Sequence, residues 1–303
     1  MAQEYRKYLD PKTLAKIRGL EVKARLVVEG YMAGQHRSPY QGFSVEFAQH
    51  REYAWGDDLR HLDWKVHGRT DKYYLKQYQE ETNLVLYIVV DTSESMTYAS
   101  NKAVSKLDYA CYIAASLAYL TLHQRDAVAL ALFDREPYQF LKPHTNPAHL
   151  RNICHLLETA RHQEKTQMGL TLHELADRFP RRGIVLILSD CFDRPDEIIG
   201  GLKHLRYKRH EIILMNVLDP YELEFPFKDP TLFEGLEEYP ELLVEPRALR
   251  QRYLEEVAGF QTSLKKGCRN LMADYVLMNT EEPLDVALSA YLATRGVRIG
   301  AGR

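Results

Sequence analysis

Leu84-Val85-Leu86-Tyr87-Ile88-Val89-Val90 runs without a break into Asp91-Thr92-Ser93-Glu94-Ser95-Met96. Seven consecutive apolar residues, many of them β-branched, are too few for a comfortable helix. They read as a strand buried on both faces, which places them at the centre of a parallel sheet. Within one residue the composition changes to Asp-x-Ser-x-Ser. Short oxygen-bearing side chains then stand at the carboxyl end of a central strand, where open α/β sheets bind ligands. Because Asp91, Ser93 and Ser95 alternate, a loop curling over the strand end can aim one carboxylate and two hydroxyls at a common centre. Those are hard donors of the kind magnesium takes, about six oxygens at roughly 2.0 to 2.1 Å with several waters retained. The same residues would also serve simply to cap the next helix.

Working outward, helix and strand signals alternate on the carboxyl side. Apolar positions predict a buried helix over 106–123, a strand over 127–133 and an antiparallel edge strand over 137–141. An amphipathic helix around 150–157 and a helix over 170–179 lead to a third buried strand, 183–190, which ends in Ser189-Asp190. Further units are expected as helix 195–206, strand 212–218, helix 246–267, strand 275–278 and helix 283–293, with a Pro-rich insertion around 221–245 and a frayed tail from 296. This alternation predicts an α/β fold with a doubly wound, mostly parallel sheet over 83–303. Two of its parallel strands end in aspartate.

On the amino side, Asp10-Pro11 is a helix start, and Leu14, Ile17, Leu20, Ala24, Val27, Val28 and Tyr31 continue at helical spacing towards Gly34. Strands are expected over 43–47 and 73–79. Between them, 51–65 holds both tryptophans, Trp55 and Trp64, among charges of both signs. It is expected to act as a structural clasp of ion pairs, the alternative being a docking surface. Residues 1–82 are accordingly read as an N-terminal α/β extension.

Apolar residues at 45% and charged residues at 27% are ordinary for a globular protein of 303 residues. Forty basic against 42 acidic residues, with no basic stripe to follow a phosphate backbone, argue against a nucleic-acid partner. Cys111, Cys154, Cys191 and Cys268 form no CxxC pair, so a reduced, cytoplasmic setting is expected. Neither a signal peptide nor a membrane span is evident. Cys191 has no histidine beside it in sequence to activate it and is assigned to core or loop filling, while His61 and His67, six apart and without a third ligand, are not expected to bind zinc.

A strand followed by Asp-x-Ser-x-Ser, a later threonine before a helix and a still later strand ending in aspartate is similar to a von Willebrand factor A domain with a metal-ion-dependent adhesion site. That resemblance implies a magnesium (or manganese) site of Asp91, Ser93, Ser95, Thr166 and Asp190, whose open position takes an acidic side chain from a partner. Lys165 and Gln167-Met168 around Thr166 depart from the family pattern. A longer composite pattern resembles domain-of-unknown-function family fifty-eight: Arg51-x-Tyr53-x-x-Gly56-Asp57-Asp58-x-Arg60-x-x-Asp63-Trp64, then Asp91-x-Ser93-x-Ser95-Met96, with Ser38-Pro39 upstream and Leu218-Asp-Pro220 downstream. Members are typically encoded beside MoxR-type AAA+ ATPases. The resemblance therefore implies a non-enzymatic adaptor or partner of such an ATPase. A phosphatase-like hydrolase is the alternative from another class, since an aspartate ending the first buried strand can be a phosphoryl nucleophile, although the second aspartate usual two positions on is here Ser93. A structural domain with a degenerate metal site is the third reading.

Overall fold

The computed structural model describes residues 10–35, 50–52, 74–76, 84–100, 104–160, 167–233 and 242–301. Its centre is a six-stranded sheet in the order β10-β7-β6-β3-β4-β5. The strands are β3 (Val85–Asp91), β4 (Ala127–Phe133), β5 (Pro137–His144), β6 (Ile184–Ser189), β7 (Glu211–Leu218) and β10 (Asp274–Asn279). All neighbours run parallel except β4 and β5, which are antiparallel, so the expected mostly parallel sheet is present with its edge hairpin. Pro143 lies within β5 at the sheet edge, where a missing backbone donor is tolerated.

Because β3 is an inner strand, its two side-chain rows enter two different cores. Leu86, Ile88 and Val90 pack with α2 (Leu20–Gln35), α3 (Lys106–His123), α4 (His149–Glu158) and α9 (Asp285–Ala301). Val85, Tyr87 and Val89 pack with α5 (Met168–Arg178), α6 (Pro195–Tyr207) and α8 (Pro246–Asn270). Helices on both faces make the sheet doubly wound, which explains why seven residues in a row had to be apolar. Cys111, Cys154, Cys191 and Cys268 are free and buried, as packing residues should be.

The single helix expected from Asp10 towards Gly34 is divided. Asp10 caps α1 (Pro11–Ala15) through bonds from the Lys12 and Thr13 N–H groups, and α2 begins at Leu20. Gly19, at φ +83°, takes the left-handed backbone that breaks the run. Leu14, Leu20, Ala24, Val27, Val28 and Tyr31 nonetheless all enter one core, so the apolar spacing carries across the break. The tail expected to fray from 296 is helical to Ala301, with no proline to stop it.

Residues 1–38 and 84–303 form one compact unit and residues 39–83 a second, so the N-terminal helices belong with the sheet rather than with an extension over 1–82. In the second unit, β1 (His50–Glu52) pairs antiparallel with β2 (Tyr74–Lys76), inside the strand expected at 73–79. The strand expected at 43–47 and most of the 51–65 segment lie outside the described residues. The insertion contains α7 (Pro220–Glu224) and an antiparallel pair, β8 (Thr231–Phe233) with β9 (Leu242–Val244).

Two glycines in helices give a stability prediction with opposite signs. A Cβ on Gly201 of α6 would lie 2.6 Å from Leu172 Cβ and 3.0 Å from the Gly169 carbonyl on α5, whereas one on Gly259 of α8 would meet nothing within 4 Å. Gly201→Ala should therefore cost about 1 to 3 kcal/mol in urea unfolding, and Gly259→Ala should gain about 0.5 to 1 kcal/mol by removing helix-interior glycine.

Candidate functional site

The chain leaves β3 towards β4 and β5, then returns across the sheet to add β6 on the other side of β3. The gap between the carboxyl ends of β3 and β6 is thus the point where winding reverses, the crevice in which doubly wound sheets take ligands. In register, Val90 faces Leu188, so Asp91 ends one strand beside Ser189 and Asp190 on the other. The two aspartates expected at one rim are brought together on neighbouring strands.

Asp91 is fully buried, and both its carboxylate oxygens are engaged. Oδ1 accepts the Ser93 N–H at 2.9 Å, and Oδ2 accepts the Ser189 hydroxyl at 2.6 Å. The Ser93 and Ser95 hydroxyls face each other at 3.1 Å. Capping does not account for them. Ser93 precedes a short 3-10 turn, Glu94–Thr97, without a side-chain cap bond, and the long helix α3 is capped by Ser105, whose hydroxyl accepts the Asp108 N–H. Neither hydroxyl caps a helix; the Ser93 hydroxyl donates instead to the buried Asp91 carboxylate.

Asp190 is reached by a different route. Its Oδ2 accepts from the Lys106 ammonium at 2.8 Å, and its Oδ1 from the Phe192 N–H at 3.2 Å. Lys106 has no exposed surface and also donates to Glu222 Oε1 at 2.7 Å. Cys191, between Asp190 and Phe192, sits at φ +61°, a strained position for a residue with a Cβ. That turn lets the Cys191 N–H reach Ser189 Oγ at 2.8 Å while Phe192 turns its N–H back to Asp190.

Electrostatics follow from this burial. Loss of water, with the Asp190 carboxylate close by, pushes Asp91 up to about 7 despite its hydrogen bonds from Ser189 and Ser93. Burial alone would lower the Lys106 ammonium, but Asp190 and Glu222 together hold it above the ordinary lysine range. Burial, then Asp190 and Asp91, drive the Cys191 thiol well above its ordinary value, the opposite of an activated nucleophile. The donor set fits a hard divalent cation: a carboxylate and two hydroxyls converge, and positive charge beside them would relieve the penalty on ionised Asp91.

Asp91, Ser93, Ser95 and Asp190 are therefore neighbours at one rim, while Thr166 lies outside the described residues. Sequence reasoning missed three participants. Ser189 was read only as a polar strand end, and Glu222 was lost in the insertion. Lys106 was read as the start of an apolar helix, yet it carried a signal. A cation in the first turn opposes the helix dipole by about 0.3 to 1 kcal/mol, so a lysine heading a buried helix implies a dedicated anionic partner.

The Asp91 shift has a definite sign in pH. Between about pH 4 and pH 7 the folded state retains a proton on Asp91 that the unfolded chain has released. This group's contribution to stability falls as pH rises across that window and levels off above it. In EDTA, urea unfolding should show Asp91→Asn gaining stability relative to wild type between pH 5 and pH 8, because the amide has no charge to bury. A difference that is the same at both pH values would contradict the assignment.

The family described as "Protein of unknown function DUF58" matches residues 49–263. An uncharacterised protein of Mycobacterium bovis is 24% identical over 291 residues, covering 94% of this chain and 90% of its own, and uncharacterised proteins of Mycobacterium tuberculosis match equally. Among solved structures, the conserved hypothetical protein BatB of Bacteroides thetaiotaomicron is 16% identical, with a TM-score of 0.46 over 70% of this chain and 98% of that one. The vWF domain of the type V pili tip protein Mfa5 of Porphyromonas gingivalis is 14% identical, with a TM-score of 0.35 over 72% and 95% of the two chains. Since the family match extends over most of the sequence, from β1 into α8 and across the whole candidate rim, the chain belongs to the DUF58 family.

Proposed function

We propose that this protein is a non-enzymatic, divalent-cation-dependent module that binds other proteins. The observation that carries the reading is the pair of Ser93 and Ser95 hydroxyls, 3.1 Å apart and unused for capping, beside the buried Asp91 carboxylate at the sheet's switch point. Asp91, Ser93 and Ser95 would hold magnesium or manganese, with Asp190 and Thr166 contributing as the family resemblance implies. A divalent ion there would supply positive charge and an exchangeable position suited to a carboxylate.

The chain's own groups prepare the rim for such a partner. Ser189 and the Ser93 N–H fix the Asp91 carboxylate, and the strained turn at Cys191 presents the partly exposed Phe192 ring beside the site. An aromatic at the edge of a polar centre is a typical interface anchor. The partner we infer presents an aspartate or glutamate, and the family resemblance points to a MoxR-type AAA+ ATPase or its client. Against the hydrolase alternative stands Ser93 in place of the second aspartate usual two positions on.

Calorimetric titration with magnesium, followed by capture of a purified MoxR-type AAA+ ATPase, tests the reading. Asp91→Ala should abolish both metal binding and metal-dependent capture, while Glu94→Ala, outside the donor set, should stay within about twofold of wild type. Full-strength capture in EDTA would contradict the metal-dependent mechanism.

A further inference from the structure

Lys106 joins two loops that have no sequence connection. From the first position of α3 its ammonium reaches Asp190, at the carboxyl end of β6, and Glu222, in the first turn of α7 beyond β7. Glu222 is half of a capping box: its Oε2 accepts the Asp219 N–H at 2.8 Å, and Asp219 accepts the Tyr221 N–H at 2.8 Å. The same Asp219 reaches back to the loop after the serine motif, accepting the Ser100 N–H at 3.0 Å. The Glu222 carbonyl accepts the Tyr253 hydroxyl from α8 at 3.0 Å. Through one ammonium, the rim carboxylate is in contact with the cap that begins the insertion. That insertion carries the exposed side chains of Tyr221 and Leu232.

An ammonium with two anionic partners divides its attraction between them. Anything that neutralises one partner strengthens the bond to the other, because the lysine is fully buried and has no water to turn to. A cation drawing on Asp190 would do this, and so would removal of its charge. We propose that Lys106 is a positioning residue that couples the charge state of Asp190 to the firmness of the Asp219–Glu222 cap, so that occupancy of the rim is relayed to the surface of the insertion. The proposal rests on the metal reading for its physiological trigger, but the Lys106 link itself exists without metal.

Hydrogen exchange of the full-length protein, followed on peptides spanning residues 219–225, separates the two. In EDTA, Lys106→Met should speed exchange there at least about fivefold, and Asp190→Asn should slow it by a similar factor, the lower end of typical couplings between sites. Added magnesium should move wild type in the direction of Asp190→Asn and leave Lys106→Met unchanged. Since coupling is reciprocal, Glu222→Gln should weaken magnesium binding by about the same fivefold although Glu222 is outside the donor set. This variant keeps the bond between Lys106 and Asp190, so it decides the matter if Lys106→Met does not fold. Exchange at 219–225 that ignores Asp190→Asn, or magnesium affinity that ignores Glu222→Gln, overturns the coupling. If wild type binds no magnesium, the proposed function fails, while the Asp190→Asn result in EDTA still judges the lysine link.

Discussion

Ending a strand that has no exposed face with an ionisable carboxylate sets the terms for everything around Asp91. β3 lies inside the sheet with helices on both sides, so its last residue leaves the apolar run without reaching water. A buried charge is tolerated only when it is hydrogen-bonded, paired or bound to a metal. The surrounding sequence supplies the bonds: Ser189 from the neighbouring strand, and the Ser93 amide and hydroxyl from the following turn. A carboxylate needed only for packing would be an expensive choice here, since an apolar residue would fill the position at no electrostatic cost.

The same accounting applies one layer out. Lys106 lies at the helix end where positive charge is least welcome, and it has left water entirely, a step that costs several kcal/mol for an ion. Two short bonds to carboxylates offset that cost, and each carboxylate has a second commitment. Asp190 is anchored by the Phe192 amide, and Glu222 closes the cap at Asp219-Pro220. Leu218-Asp219-Pro220 thereby acquires a physical role. Proline starts α7, aspartate caps it, and the cap holds the glutamate against the lysine. The Asp-x-Ser-x-Ser loop and the segment beyond β7 become parts of one polar network at one end of the sheet.

Much of this was legible in the sequence because periodicity reports burial. The unbroken apolar runs at 84–90, 127–133 and 184–188 could only be inner strands, and their order placed Asp91 and Asp190 on one rim. The break at Gly19 was not legible, because apolar spacing continues on the same face across it. Lys106 and Glu222 were missed for a related reason. They lie 116 residues apart, and periodicity says nothing about which distant charges will meet in the fold.

Crystals grown with manganese in place of magnesium address the central claim directly, because its anomalous scattering distinguishes the ion from an ordered water. The account predicts a single strong peak within bonding distance of Ser93 and Ser95 at the carboxyl ends of β3 and β6, lost in Asp91→Ala. An empty rim at saturating manganese, or a peak elsewhere on the molecule alone, would contradict it.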